Sequence, residues 1–524
     1  MRLTTLPLIL LAAALVALAA QSVLYPDCLS DDAFISFRYA QHLAQGDGLV
    51  FNTSDANPVE GYTNFLWTLI LAATTALGFD PERAARLLGL AAGMGAQVAS
   101  FSLIRALLPR APLAWAMPSL LLASSSFFLV ESIQGLETAL MAALVTAAMA
   151  RKAREMARHA AGKTAFPISA LLMGLAALTR PEGYLLFGVF LMADTLQRFT
   201  GSRRPGERDL LAPLFFALPV VPHLTFRLLT YGQWLPHTFH AKTGGGLDQV
   251  RRGLQYVASG WLTVLPWVVL AILALALLLS RRPSTPTRRA ILLTFALWLT
   301  ACLGVAVEGG DFKPTFRFLV WSLPLLAVLA ITGGALLWQA LAGRRTVPAG
   351  ITVVVLVAGS LIWAAVGSQP ARRFAQLRRA DLTRLRQAAD WFSTNLPPDA
   401  LIATGPAGAI PYYTGRPTLD MWGINDAAIG RRIMPAMGSG TAGHEKGDGA
   451  SVFARAPEVI LFTEARFTAA PLPEKFLRQS YLYVSERELL DLPGFHQRYE
   501  WRSVPLASAT MNFFQRIEDG EQTP

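Results

Sequence analysis

A chain of 524 residues that is 53% hydrophobic and only 15% charged, with a mean hydropathy of +0.39, is too apolar for a soluble domain of this size and reads as a polytopic membrane protein. Its net charge of +11 does not point to nucleic acid, because the cations gather in short loops between apolar runs, where the positive-inside rule accounts for them. Two cysteines, Cys28 and Cys302, support no disulfide framework and leave the compartment open.

Apolar runs near 20 residues, the length that roughly 30 Å of hydrocarbon requires, predict eleven spans at about 5–23, 84–108, 112–130, 134–150, 165–179, 182–197, 210–230, 261–280, 290–307, 318–340 and 349–367. The first is read as a retained helix, although Ala17-Leu18-Ala19 resembles a signal-peptide cleavage site; residue 24 lies outside in either case. The apolar stretch from Asn64 to Gly78 is fifteen residues long and is read as interfacial or re-entrant. Leaving it out places the basic loops around Arg105 and Arg110, Arg151 to Lys163, Arg198 to Arg208, Arg281 to Arg289, and Arg344 and Arg345 on one side, the cytoplasmic one. The fold class is then an all-α membrane domain of about eleven helices, N-in and C-out. The cytoplasmic loops hold no Gly-rich phosphate loop, so no nucleotide site is expected there.

The first outer loop, 24–83, opens with Ser30-Asp31-Asp32. Ser30 suits the cap of a helix whose first turn holds both acids, where the helix dipole favours ionised carboxylates. Ala33, Phe37, Ala40 and Ala44 recur at helical spacing with Phe34 beside them, while Arg38, Gln41 and Gln45 take another face, so the helix is expected to lie in the membrane interface. Adjacent helical residues diverge by about 100°, so Asp31 and Asp32 should have different roles. The plainer alternative is a capped first turn with no chemistry.

Further polar groups fall on the same side. Glu131 and Glu137 bracket a very short loop, and a carboxylate at the mouth of a helical bundle costs free energy unless paired or wetted. Arg180-Pro181-Glu182 is a tight turn that serves either as a helix-end anchor pair or as a ligand. Lys242, Lys313 and Arg317 are cations on the outside, against the positive-inside bias, and fit an anionic phosphate; anionic lipid headgroups are the competing explanation. His237 and His240 lack a third ligand, so no metal or other cofactor is expected.

Beyond Ser368 the composition becomes that of a soluble protein. A basic amphipathic helix at 372–395 precedes strands expected at 401–404, 418–421, 459–462 and 513–517, giving a smaller α/β domain over 368–524 after a membrane domain over 1–367. The domain reads either as a lid or solubilising module or, through Asp420, Asn425, Asp426, His444 and Lys446, as a contact surface for an acceptor glycan, in a supporting role in both cases.

The run Asp31-Asp32-Ala33-Phe34-Ile35-Ser36-Phe37-Arg38-Tyr39 and then Val59-Glu60-Gly61-Tyr62-Thr63-Asn64-Phe65-Leu66-Trp67 are followed, in order, by Gly135-Leu136-Glu137-Thr138, Thr179-Arg180-Pro181-Glu182-Gly183, Leu235 to Lys242, Gly309-Gly310-Asp311, Asp420 to Asp426 and His444 to Gly449. Together they resemble the GT-C glycosyltransferases that use polyprenyl-phosphate sugars, above all the terminal arabinofuranosyltransferases of the mycobacterial cell-wall type.

The resemblance implies a bacterial inner-membrane enzyme with a periplasmic site, and a donor sugar on decaprenyl or undecaprenyl phosphate. The acceptor would be a hydroxyl of a cell-envelope glycan or glycoprotein, and transfer would invert the anomeric centre. It assigns catalysis to Asp31, Asp32 and Glu137, and substrate contacts to Arg38, Glu60, Tyr62, Asn64, Arg180, Glu182, His237, His240, Lys242, Asp311, Lys313 and Arg317. His237 and His240 stand where these relatives carry Asn and an aromatic residue. Arabinofuranose is the first choice of sugar, with aminoarabinose, mannose or another pentose compatible. Two other readings are an O-antigen ligase or polymerase, which should tolerate loss of Asp31, and a lipid-linked sugar transporter or flippase, which predicts polar residues at mid-membrane depth.

Overall fold

The structure, a computed structural model, describes residues 2–55, 57–200, 211–280, 285–342, 358–359, 361–363, 366 and 369–517. Among them, five helices are long and apolar enough to cross a membrane: Thr5–Val23, Pro81–Leu107, Leu211–Tyr231, Pro286–Glu308 and Leu323–Leu341. Each coincides with a predicted span.

Other predicted spans take different forms. The one at 112–130 is a broken pair, Pro112–Ser124 and Ser126–Ile133, bent by 71° at Ser125, whose side chain caps the second limb. The one at 261–280 is the second limb of Gly246–Leu262 and Leu265–Leu279, bent by 98°, with Pro266 in its first turn. The span at 165–179 is a helix of twelve residues, Ile168–Thr179; the one at 134–150 begins in the turn before Thr138–Ala160 and continues into it, and the one at 182–197 lies within Glu182–Thr200. Counting each bent pair as one span raises the number from five to seven. The predicted span at 349–367 and the basic residues at 201–210, 281–284 and 343–345 lie outside the described residues, apart from a few positions near the end of that span. Phe65–Ala76, the stretch held too short to cross, has twelve residues, about 18 Å of helix.

The Asp31–Gln45 helix, α1 of the site, is packed on more than one face. Its Ala33, Phe34, Phe37 and Ala40 share one buried cluster with Trp67, Leu71 and Leu136 on one side and with Leu382, Leu385 and Ile410 of the C-terminal region on the other. The helix is thus clamped between the two parts of the chain. It ends at Gly46, whose φ of 94° gives the left-handed cap that glycine adopts without strain.

From Gln369 the chain adds the Gln369–Asn395 helix and a small mixed sheet. Its strands are β1 (Ile402–Thr404), β2 (Thr418–Asp420), β3 (Val459–Leu461), β4 (Phe467–Thr468), β5 (Tyr499–Pro505) and β6 (Thr510–Arg516). β1 lies parallel to both β2 and β3, with Ile402 opposite Thr418 and Val459. β6 runs antiparallel to β3, β4 and β5. The four expected strands are present. β5 escaped prediction because it alternates polar and half-buried residues and pairs only with β6, so no apolar run marks it.

Candidate active site

The first turn of α1 sends its two acids apart. Asp31 turns toward the C-terminal region, where its Oδ1 accepts the N–H of Ala409 at 2.8 Å. Gly408 sits so close that a Cβ there would lie 2.0 Å from the carbonyl oxygen of Asp31. Burial pushes the Asp31 carboxyl above the usual range, with the Ala409 N–H opposing and the Asp32 charge adding to the shift.

Asp32 faces the loop after Pro286–Glu308. Its Oδ2 accepts from Lys313 Nζ at 2.8 Å and from Arg317 Nη1 at 2.5 Å. Burial works against ionisation here, but the Lys313 ammonium and Arg317 guanidinium outweigh it and hold the carboxyl well below the usual range. Among the described residues no group hydrogen-bonds the other oxygen, Oδ1, and the side chain keeps 35% of its exposure. Asp32 is therefore an ionised carboxylate with one oxygen fixed and one open.

The cations are held in turn. Gly309 and Gly310, with φ of 86° and 71°, end the preceding helix and swing Asp311 and Lys313 toward α1. Arg317 Nε pairs with Asp311 at 2.5 Å. Lys313 Nζ also donates to Ser30 Oγ at 2.7 Å. That contact corrects the expected cap: Ser30 occupies the N-cap position, yet its hydroxyl serves Lys313 rather than the helix N–H groups.

A second buried network lies alongside. Glu137 accepts from Arg180 Nη1 at 2.8 Å and from Asn64 Nδ2 at 2.9 Å, and Asn64 also donates to Ser36 of α1 at 3.0 Å. Arg180 completes its fork on Glu182 at 2.8 Å and lies over the Phe318 ring. Glu308, which sequence reasoning did not single out, is within electrostatic range of Glu182, Arg180 and Lys242. A charged residue at the end of an apolar span was the available signal.

Lys242 differs from these. Among the described residues its Nζ has no hydrogen bond and no carboxylate within 4 Å, although it feels Arg317, Asp32, Asp311 and Arg180. Burial, then Arg317, pushes its ammonium down. A half-buried cation without a partner beside a cationic cluster is suited to an anion.

Four of the other predicted contacts, Arg38, Glu60, Tyr62 and His237, are engaged by groups of the protein itself. Arg38 is buried, and its guanidinium donates to the carbonyls of Phe51, Pro411 and Arg416 and to Asn52 Oδ1, pinning the first loop to the C-terminal region. Glu60 forms a buried pair with Arg227 at 2.5 and 3.0 Å. Tyr62 is buried with its hydroxyl 3.2 Å from that of Tyr231. His237 Nε2 faces the carbonyls of Gly423 and Asp426, each at 3.0 Å, so it carries the proton and donates to the C-terminal region. His240 stands beside it, partly exposed, with ring centroids 6.3 Å apart. Among the described residues no group of three or more His, Cys, Asp or Glu side chains comes together as a metal site.

The C-terminal region reaches the same place through the loop 438–446. Glu445 accepts the N–H groups of Gly438 and Gly440, each at 2.8 Å, and pairs with Arg252 at 2.8 Å. His444 is thereby set between Phe312 and Trp422, at centroid distances of 4.6 and 3.9 Å. Burial above all pushes its imidazole down to about 4, so it is neutral near pH 7.

Residues 373–514 match a family described as a domain of unknown function, DUF8728. No curated protein sequence matches the chain. Among solved structures, ArnT from Cupriavidus metallidurans in the apo state is 15% identical with a TM-score of 0.58, and 98% of each chain is covered. The same protein bound to undecaprenyl phosphate is 14% identical with a TM-score of 0.56, again over 98% of each chain. At these identities the likeness is one of fold. The helical bundle with a small C-terminal sheet accordingly shares the fold of that protein, and the likeness does not resolve the arabinofuranosyltransferase type.

Proposed function

We propose that this protein is a membrane glycosyltransferase that moves a sugar from a polyprenyl-phosphate donor to an acceptor hydroxyl, with Asp32 as the base. The observation that carries this reading is an ionised carboxylate, open at one oxygen and paired with Lys313 and Arg317, near Lys242, which has no partner among the described residues. The neighbour solved with undecaprenyl phosphate supports a lipid-phosphate donor. The site would face the periplasm of a bacterial inner membrane, on the side that the predicted basic loops leave free.

In the proposed step the acceptor oxygen attacks the anomeric carbon as the bond from that carbon to the phosphate oxygen breaks. The acceptor proton passes to Oδ1 of Asp32, and the sugar is inverted in one displacement. A proton acceptor placed in this way typically contributes ~10²- to 10⁴-fold. Negative charge grows on the departing lipid phosphate, where fixed cations act without reorganising. Lys242 and Arg317 would hold that phosphate, while Lys313 orients Asp32. Arg180, Glu137, Glu182 and Asn64 keep the cluster in register through their own hydrogen bonds. Asp31 then has a separate task, fastening the C-terminal region to α1.

Arabinofuranose remains the sugar the motifs favour. Mass spectrometry of envelope glycans from a deletion strain, complemented with wild type or Asp32→Asn, identifies sugar and acceptor: one pentose should vanish in the deletion and return only with wild type. For the donor, native mass spectrometry of the purified protein with undecaprenyl phosphate should show binding that Lys242→Ala weakens about tenfold, the scale of one charge-assisted contact. Equal binding by Lys242→Ala would remove Lys242 from the phosphate site.

A further inference from the structure

Four aromatic rings and one imidazole form a continuous line from the acid toward the solvent. Phe312 precedes Lys313 and meets His444 edge-on, with centroids 4.6 Å apart at 75°. His444 lies 3.9 Å from Trp422, Trp422 lies 5.1 Å from Tyr483, and Tyr483 lies 5.0 Å from Tyr481. Phe312 and Tyr481 are 42% and 57% exposed, and Trp422 and Tyr483 are half-buried.

The rings are fixed from beneath. The Asp420 carboxylate accepts the N–H of Trp422 and of Asn425, each at 2.9 Å. A Cβ at Gly405 would lie 2.6 Å from the indole, so only glycine lets the ring sit there. Ser485 Oγ donates to the Met421 carbonyl at 2.9 Å, and Glu486 accepts the N–H groups of Tyr483 and Thr463 at 3.0 and 2.6 Å. Large aromatics held this firmly and left exposed lose little entropy on binding, which is the condition for a recognition surface.

We propose that Phe312, His444, Trp422, Tyr483 and Tyr481 are subsites for a saccharide chain, the acceptor of the transfer, and that they lead its reactive hydroxyl to Asp32. This rests on the glycosyltransferase reading and narrows its acceptor to a glycan. Pyranose and furanose rings present C–H faces that pack on aromatic rings, and hydroxyl edges that need polar partners. The line supplies both, because the Nδ1 of His444 is buried between two of the rings without a hydrogen-bond partner among the described residues. An aromatic belt for lipid would have no use for a buried imidazole and would not begin beside an acid and two cations.

The test uses the full chain in nanodiscs and saturation-transfer NMR with a panel of pentose and hexose oligosaccharides. At least one oligosaccharide should receive saturation from the protein. Its affinity should fall about tenfold in Trp422→Ala and in Tyr481→Ala, and be largely restored in Trp422→Tyr. Tyr481 is exposed, so its variant keeps the fold if Trp422→Ala does not. No binding by wild type, or binding unchanged in Tyr481→Ala, overturns the proposal. So does a spin label at Tyr481→Cys that is accessible to oxygen in lipid and unaffected by oligosaccharide. Binding that persists in Asp32→Asn while no transfer is detected in wild type keeps the saccharide site and discards the enzymatic reading instead.

Discussion

Asp31 and Asp32 are neighbours with opposite electrostatic surroundings, and that difference underlies the separate tasks proposed for them. Asp32 has a carboxyl held well below its ordinary value by Lys313 and Arg317. A depressed value means that the pairing contributes stability above the unfolded value near 4 and loses it as pH falls through the folded one. The stability advantage of wild type over Asp32→Asn, measured by thermal unfolding in detergent, should therefore be constant near neutrality and shrink below about pH 4. An advantage that grows in acid would contradict the ion pairing. Arg38 makes a second prediction at this scale. Arg38→Met removes four buried hydrogen bonds and should cost about 3 kcal/mol, read as lower thermal stability, with donor binding intact in whatever remains folded. The acids and cations were legible in sequence because adjacent carboxylates and outward-facing lysines break the composition of a membrane protein. Arg38 and Glu60 show the ambiguity of a charge in a motif, which looks the same in sequence whether it meets substrate or, as here, donates to backbone carbonyls or pairs with a buried Arg227.

The helices show what hydropathy does and does not report. It located the five long apolar helices, since their length and composition are properties of the chain itself. The bends at Ser125 and before Pro266 were missed, because counting apolar residues registers neither a capping hydroxyl nor a proline at a limb's start. α1 was expected at a membrane surface on the strength of its amphipathic pattern, and that pattern is equally satisfied by a C-terminal region packed over it. The contact is close enough to be tested. Gly408→Ala would drive a methyl group into the Asp31 backbone and should cost about 1–3 kcal/mol, together with a drop in transfer rate as the loop lifts from α1. Unchanged stability and rate would show that the two parts are not held at this point.

At the scale of the molecule, the site is made of pieces far apart in sequence: α1, the turn at Arg180, Lys242, the loop around Lys313, and the loop 438–446 of the C-terminal region. No single segment holds an acid, its orienting cations and a free cation, so the fold is the agent that assembles them. A sequence reading could gather these segments by resemblance but could not show that His237 would turn to the carbonyls of Gly423 and Asp426, or that His444 would stand between Phe312 and Trp422. In the proposed reaction Asp32 takes a proton while the lipid phosphate departs. That step is tested most directly by release of undecaprenyl phosphate from an undecaprenyl-phospho-arabinofuranose donor in proteoliposomes supplied with envelope glycan, for wild type and Asp32→Asn. Release by wild type is expected, at a rate about 10²- to 10⁴-fold above that of the variant, with undecaprenyl phosphate bound no more weakly by the variant. Equal release by both, or undecaprenyl phosphate bound by neither, would contradict it.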